Sequence, residues 1–266
     1  MTWTTRPRSE GPGGLHYWSE GHGPALVLIH GVGLRAEAWG AMMPLLAPQF
    51  TVYAVDMPGH GASPLQGSAS LDDYTRRFAA LIQSMGAPVA VAGHSMGAMI
   101  ALDLAIAHPE HFRSASALNA IFERTPEAAR AVQARARGLA DGDRTDPTAT
   151  LERWFGAAPD GPGQAAAKAC RNWLTRADAK GYAQAYAVFA DHHGPARRAL
   201  EGMQTPALFL TGANDPNSTP AMSQAMAACA PHGRAQSIDG AAHMAPMTHP
   251  KDVATALITH IQGTKP

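Results

Sequence analysis

The sequence of 266 residues is poor in cysteine, in aromatic residues and in long apolar runs. Its two cysteines, Cys170 and Cys229, belong to no CxxC motif or metal-ligand cluster, so we interpret them as buried small hydrophobic residues rather than a disulfide. This usage is typical of a reducing compartment. Lys and Arg total 21 and Asp and Glu also total 21. Such a balance lacks the long basic surface that a nucleic acid backbone requires, so nucleic acid is not an expected partner.

Membrane signals are also missing from the sequence. No run approaches the roughly 18 apolar residues of a membrane span, and residues 1–8 lack the apolar core of a signal peptide. We therefore expect a cytoplasmic protein without a membrane partner. The length suits one α/β domain with an insertion, and the sequence carries no signal for an oligomeric state.

A strand, a sharp turn and a helix are predicted around Ser95. An apolar run leads into the sequence Gly-His-Ser-Met-Gly at 93–97, and an Ala- and Leu-rich helical run follows. A turn this tight strains its central residue, so the glycines on either side are needed for their small size. The pattern predicts Ser95 as a nucleophile at the carboxyl edge of a sheet. It also places the N–H of Met96, at the helix start, where it can bind an oxyanion.

A second glycine-rich loop follows the apolar stretch 25–29, which is typical of a strand covered on both faces. The loop has the sequence His-Gly-Val-Gly at 30–33 and precedes a helical run predicted over 36–46. Such a loop can direct a backbone N–H into the cleft, and Val32 is the best placed second oxyanion donor. A plain strand-to-helix turn is the alternative. We interpret His30 as a packing or hydrogen-bonding residue.

Asp56 and His60 follow the next predicted strand, in a loop dense in proline and glycine. They could form an acid/base pair. We favour structural roles for both, with Asp56 accepting hydrogen bonds from loop N–H groups.

The alternation of strands and helices stops between residues 121 and 203. This segment is Ala- and Arg-rich, shows no strand pattern and predicts about four helices. We interpret it as a cap over the carboxyl edge of the sheet, with residues 1–120 and 204–266 forming the core domain. Most of its aromatic residues are expected to pack the cap onto the core. Trp154 and Trp173 are the candidates for substrate contact.

The last two predicted strands end in loops that carry an acid and a base. Asp215 follows the strand at 207–211, and His243 follows the strand at 235–238. Both loops lie on the edge that carries the predicted nucleophile, so Asp215 is the candidate acid and His243 the candidate base. Asp239 is the rival acid but is close to His243 in sequence, and His249 is the rival base at a helix start.

Together these motifs resemble the α/β-hydrolase fold family, in its serine hydrolase branch. The match covers nearly the whole chain: residues 30–33 resemble the oxyanion loop, 56–63 an Asp-x-Pro-Gly-x-Gly-x-Ser stretch, 93–97 the nucleophile elbow, 212–215 the acid loop and 240–243 the histidine loop. The chain order Ser, Asp, His agrees with this family. Ala98 and Ala242 stand where many members carry glycine. The resemblance implies a mostly parallel central sheet flanked by helices, with an inserted helical cap.

The resemblance also implies a reaction. Ser95, His243 and Asp215 would hydrolyse a small ester or lactone through an acyl-enzyme, without a metal or cofactor, as in small capped esterases and 3-oxoadipate enol-lactonase-like proteins. The alternatives are a C–C hydrolase of the meta-cleavage-product type, a perhydrolase or acyltransferase, and a non-catalytic ligand-binding member. Members of the C–C hydrolase branch commonly carry Asn where this chain has His94. The serine nucleophile disfavours dehalogenase and epoxide hydrolase chemistry.

Overall fold

An eight-stranded sheet organises the chain. The computed structural model describes residues 2–67, 70–143 and 146–264. The strands are β1 Ser9–Gly11, β2 Leu15–Glu20, β3 Ala25–Ile29, β4 Thr51–Val55, β5 Val89–His94, β6 Phe112–Leu118, β7 Ala207–Gly212 and β8 Gly233–Ile238. Their order across the sheet is β1-β2-β4-β3-β5-β6-β7-β8. β2 runs antiparallel to β1 and β4, whereas the pairs from β4 to β8 are parallel, which confirms the predicted sheet.

Helices cover both faces of the sheet. They are α1 Met43–Leu46, α2 Leu71–Gln83, α3 Met96–Ala107, α4 Pro126–Ala140, α5 Thr148–Phe155, α6 Gly161–Arg176, α7 Ala179–Asp191, α8 Arg197–Glu201, α9 Pro220–Cys229, α10 Ala245–Thr248 and α11 Pro250–Gly263. Side chains of β3 alternate between two cores: Val27 packs in the core that includes residues of α2 and α3, and Leu28 in the core that includes α1 and α11. The alternation follows from the period of two in a strand. Both faces of β3 are therefore buried, as its apolar sequence predicts.

The register brings the carboxyl ends of the central strands to one level. Ile29 of β3 pairs with Gly93 of β5, Gly93 pairs with Ala117 of β6, and Leu118 pairs with Leu210 of β7. The loops that leave these strands consequently emerge side by side. In open parallel sheets this edge is where ligands bind.

Two details differ from the sequence prediction. The single helix predicted over 36–46 is a 3₁₀ turn, Ala36–Trp39, followed by the short helix α1. Pro44 explains the break, because its ring nitrogen has no hydrogen to bond the preceding turn. Strand β1 was also not predicted, since it is a three-residue edge strand with no buried residue to give it an apolar pattern.

Residues 121–203, which we call the helical insertion, form five helices in the part that the structure describes, α4 to α8, rather than about four. Within its described residues the insertion contains no strand, as predicted. It meets the rest of the chain backbone to backbone: a Cβ at Gly59 would lie 2.7 Å from the Cα of Gly181, at the start of α7. In the described part of the chain, no helix is both long enough and apolar enough to cross a membrane.

Candidate active site

Ser95 occupies the sharp turn between β5 and α3. Its backbone angles, φ 56° and ψ −117°, are strained for a residue with a side chain. The glycines on either side permit the turn, because a Cβ at Gly93 would collide with the backbone of Gly97, and one at Gly97 with the carbonyl of Ile29. Ser95 is partly exposed, although its neighbours on both sides are buried. The turn therefore leaves the Ser95 side chain accessible at the carboxyl edge of the sheet.

Asp215 and His243 meet on the loops that follow β7 and β8. Nδ1 of His243 lies 2.8 Å from Oδ2 of Asp215, and both residues are buried. Strands β5 to β8 are parallel neighbours, so this pair lies on the sheet edge that carries Ser95. An Nδ1–H that donates to a carboxylate leaves Nε2 as the acceptor nitrogen. With its proton on Nδ1 and its lone pair on Nε2, His243 is in the tautomer that a general base requires.

Four hydrogen bonds hold the Asp215 carboxylate. Oδ2 accepts from His243 and, at 2.8 Å, from Nδ2 of Asn119. Oδ1 accepts from the backbone N–H groups of Asn217 and Ser218, at 2.8 and 3.1 Å. Burial alone would raise the pKa of Asp215, but its interactions with His243 and Asn119 favour the charged form and lower the pKa to about 2. Asp215 is therefore ionised at neutral pH and fixed in orientation.

The loop after β3 and the start of α3 supply the two candidate oxyanion donors. The N–H of Gly33 is engaged, because it donates to Nε2 of His60 at 3.0 Å. The N–H of Val32 has no acceptor among the residues that the structure describes. Met96 is the first residue of α3, and the first N–H groups of a helix have no acceptor within it. The structure therefore leaves a backbone N–H donor at each predicted position, Val32 and Met96.

Two buried histidines fix the loop that carries Val32. Nε2 of His60 accepts from Gly33, and Nε2 of His30 accepts from the N–H of Met57 at 3.0 Å. Each Nδ1 faces a backbone carbonyl, at 3.1 Å and 2.8 Å respectively. Burial lowers the pKa of both rings, that of His30 to about 3, so both are neutral. Their contacts are structural, as the sequence predicts.

Asp56 accepts backbone hydrogen bonds, also as predicted. Its Oδ1 binds the N–H of Ala36 at 2.7 Å and its Oδ2 the N–H of Ala62 at 3.0 Å. Arg8 donates to Asp56 at 2.8 Å and to Glu37 at 2.7 Å. Burial would raise the pKa of Asp56, but Arg8 and the other partners stabilise its charge and lower the pKa overall. This buried network ties the N-terminal segment to the loops beside the site.

His94, the residue before Ser95, contacts the backbone of the candidate base. Its Nε2 lies 2.8 Å from the carbonyl oxygen of His243, and the two ring centroids are 5.1 Å apart. Burial lowers the pKa of His94 to about 3, so the ring is neutral. A neutral ring that meets a carbonyl must carry its proton there, so Nε2–H is the donor. His94 thereby fixes the loop that carries His243.

The two tryptophans proposed for substrate contact lie in different places. Trp154 of α5 covers His243, with ring centroids 6.0 Å apart. Trp173 of α6 packs edge-on against Trp3 at 6.3 Å. It lines a groove of about 1000 Å³ that also touches Gly33. The structure thus brings Trp154, and not Trp173, against the candidate base.

The rival acid and base stand apart from this geometry. Asp239 is exposed. His249 occupies the N-cap position of α11 and its Nδ1 lies 2.9 Å from Oγ1 of Thr248. Neither makes the contact that joins Asp215 to His243. The structure therefore favours Asp215 and His243 over both rivals.

The sequence prediction gives no structural role to three residues of the site region. Asn119 directly follows β6, on the edge that the prediction identifies, so its position was a usable signal. It lies in the left-handed region, with φ 52°, as asparagine does more readily than most residues. His94 lies inside the Gly-x-Ser-x-Gly motif, which specifies the serine and the glycines but predicts no contact for the histidine. Arg8 lies about fifty residues from Asp56, and no sequence spacing connects them.

These observations define the class of protein. Residues 26–256 match the model of the alpha/beta hydrolase family, and the chain belongs to that family. It is an enzyme of the α/β-hydrolase class.

Particular relatives cover almost the whole chain. It is 36% identical over 251 residues to the (E)-2-((N-methylformamido)methylene)succinate hydrolase of Acinetobacter baylyi, covering 94% of each protein. It is 34% identical over 257 residues to the pimeloyl-[acyl-carrier protein] methyl ester esterase of Xanthomonas campestris pv. campestris, covering 91% of this chain and 97% of that protein. The enol-lactonase structure from Burkholderia xenovorans superposes with a TM-score of 0.83 at 22% identity, covering 96% of this chain and 100% of that chain, and shows the same fold.

Proposed function

We propose that this enzyme hydrolyses a small carboxylic ester or lactone through an acyl-enzyme on Ser95. The observation that carries the proposal is the buried contact of 2.8 Å between His243 and Asp215, on the sheet edge that presents the strained Ser95. The names of the comparison proteins support this reaction class, because one is a methyl ester esterase and another an enol-lactonase.

Acylation begins when Ser95 Oγ attacks the acyl carbon and His243 Nε2 takes the serine proton. The ionised Asp215 stabilises the imidazolium and keeps Nδ1 protonated. The carbonyl oxygen of the substrate becomes an oxyanion, which accepts hydrogen bonds from the N–H groups of Val32 and Met96. When the intermediate collapses, His243 returns the proton to the leaving oxygen, and the C–O bond of the substrate breaks.

Deacylation repeats these steps with water. His243 removes a proton from a water molecule, whose oxygen attacks the acyl carbon of the ester on Ser95. Collapse of the second oxyanion releases the carboxylic acid and returns the proton to Ser95. No metal or cofactor enters this scheme.

We also propose that the helical insertion is a cap domain that selects the substrate, over a core of residues 1–120 and 204–266. Trp154 supports this role because its ring lies against His243 and forms a wall beside the reacting group. Trp173 would contribute only to a substrate that extends past Gly33 into the groove it lines. An apolar wall with a few polar groups is typical of small-molecule sites.

A fluorophosphonate probe tests the nucleophile, and a substrate panel tests the reaction. Stoichiometric labelling of the purified protein, abolished by Ser95→Ala, is expected. The panel contains short-chain aryl esters, enol-lactones and a dienol diketone under the same conditions, and an ester or lactone is expected to turn over fastest. Faster turnover of the diketone would assign C–C hydrolysis instead, and absence of both labelling and turnover would indicate a ligand-binding protein.

A further inference from the structure

The N-terminal segment, residues 2–8, is fixed to the core on both sides of Trp3. On one side, the backbone is packed so closely that a Cβ at Gly40 would collide with the carbonyl oxygen of the residue before Trp3. On the other side, the buried guanidinium of Arg8 donates to Glu37 at 2.7 Å. Chain termini are usually mobile unless contacts of this kind hold them. The segment therefore presents the Trp3 side chain from a fixed backbone.

Trp3 connects this fixed segment to the helical insertion. Its half-buried ring meets the ring of Trp173, on α6, in an edge-on contact with centroids 6.3 Å apart. This is one of the two arrangements that pairs of aromatic rings prefer. Both tryptophans line the groove of about 1000 Å³ between the core and the insertion. The contact therefore holds α6 to the core at a second place, besides the backbone contact of Gly59 with Gly181.

The groove reaches the loop that lies beside Ser95. A Cβ at Gly31 would lie 3.1 Å from Cβ of Ser95, and Gly33, two residues further on, lines the groove. Consecutive Cα atoms are 3.8 Å apart, so at most about 8 Å of chain separates these two positions. The contact of Trp3 with Trp173 thus lies along a groove that begins next to the candidate nucleophile.

An apolar cluster joins the same contact to the candidate base. The buried members of the cluster come from the chain after β3, from α5 and α6, and from the chain after β8: Leu34, Ala38, Leu151, Ala166, Cys170, Met244 and Met247. Trp3, Trp154 and Trp173 all pack against these residues. Since Trp154 also covers His243, and since close-packed side chains transmit displacements to one another, the position of Trp154 depends on how firmly the cluster is held.

We propose that Trp3 is a positioning residue, which holds α6 against the core and thereby keeps Trp154 in place against His243. This inference rests on the proposed function, in which the helical insertion selects the substrate. The ion pair of Arg8 has already fixed the backbone beside Trp3, so little further conformational entropy is lost when its ring packs on the insertion. Trp3 acts on the wall beside the reacting groups, and so it should affect selection by acyl size rather than the chemical step.

The test compares two esters with the same leaving group, p-nitrophenyl acetate and the branched p-nitrophenyl pivalate. In Trp3→Ala the wall formed by Trp154 is held less firmly. The ratio of kcat/KM for pivalate to kcat/KM for acetate should therefore rise by about two- to tenfold, as the loss of one aromatic pair provides. For acetate, KM should rise while kcat is unchanged. Trp3→Phe restores an aromatic edge and should return the ratio towards the wild-type value.

Three further variants complete the test. Thr5→Ala is the control in the same segment, because Thr5 is exposed, and it should leave the ratio unchanged. Trp173→Ala removes the partner ring, so adding Trp3→Ala to it should change the ratio no further. Trp3→Leu keeps an apolar side chain without the ring, and it should raise the ratio in the same direction if Trp3→Ala fails to fold.

Two results would overturn the proposal. The first is a folded Trp3→Ala or Trp3→Leu variant with lower thermal stability but the wild-type ratio, which would make the role of Trp3 structural only. The second is additive effects of Trp3→Ala and Trp173→Ala on the ratio. If Trp154→Ala changes the ratio and Trp3→Ala does not, only the positioning role fails. Wild-type protein that hydrolyses no ester and takes no phosphonate label would refute the proposed function itself.

Discussion

Replacing Asp215 by Asn changes one oxygen of the carboxylate into an NH₂ group. If the amide oxygen keeps the two backbone N–H donors of Asn217 and Ser218, the new NH₂ faces the Asn119 amide and Nδ1 of His243. His243 must then accept at Nδ1, which places its proton on Nε2. A ring in that tautomer cannot take the proton of Ser95.

The opposite orientation of the amide is less favourable. It sets the NH₂ group against two backbone N–H donors and leaves both without an acceptor, at about 1–3 kcal/mol each. The inactive tautomer therefore predominates. We expect kcat to fall by about 10⁴, the loss seen when the triad acid of a serine protease is changed to Asn, which corresponds to about 5.5 kcal/mol in the barrier.

Initial rates with an aryl ester, together with thermal unfolding, measure the two parts of this prediction. Asp215→Asn should unfold cooperatively, because the amide fits the same volume and keeps its two backbone donors. Asp239→Asn is the matched control at an exposed carboxylate and should be close to wild type. If Asp215→Asn kept more than about a tenth of the wild-type kcat, the tautomer argument would be wrong. The reverse ranking of the two variants would assign the acid to Asp239.

Three further predictions concern other parts of the molecule. Ser95→Ala should fold normally and lose all but a small residual rate, since its side chain is not part of the core; circular dichroism and ester turnover check both points. Trp154→Ala should change relative rates across a series of ester sizes more than Trp173→Ala does, because Trp154 contacts His243. Arg8→Met should destabilise the fold by about 3–5 kcal/mol at neutral pH in urea unfolding, since it leaves the buried Asp56 carboxylate without a cation and removes one of the two arginines that bind Glu37. Arg8 lowers the pKa of Asp56 and Glu37, so this loss should shrink as the pH falls below about 4 and both carboxyls become protonated.

The sequence predicts the sheet well because its central strands are covered on both faces. An apolar run such as that of β3 is stable when both of its faces are buried, as in a central strand, and the glycine-rich loops mark where each strand ends. Strand β1 escapes this reasoning, because it is an exposed edge strand held by main-chain pairing to β2 rather than by burial. The insertion is harder to predict in detail, since Ala-rich stretches fix helix content but not where each helix ends.

In the candidate site, residues that belong to short motifs could be predicted and residues that join distant segments could not. Ser95 and Val32 carry their own local glycine patterns, and Asp215 and His243 follow strands of one sheet. Asn119 supports Asp215 only because the loops after β6 and β7 emerge next to each other. Local patterns therefore indicate the residues proposed for the chemistry, whereas contacts that depend on tertiary packing cannot be predicted from the sequence.

The contact between Gly59 and Gly181 has a consequence for engineering. Because the two backbones touch, any side chain at either position would push them apart. Random mutagenesis at these positions, followed by selection for folded protein, should therefore recover glycine alone. A helical insertion transplanted from a relative would have to bring a glycine to the same place at the start of α7. Because the contact joins two backbones, the helices around it can be redesigned for new substrates while Gly59 and Gly181 keep the geometry of the contact.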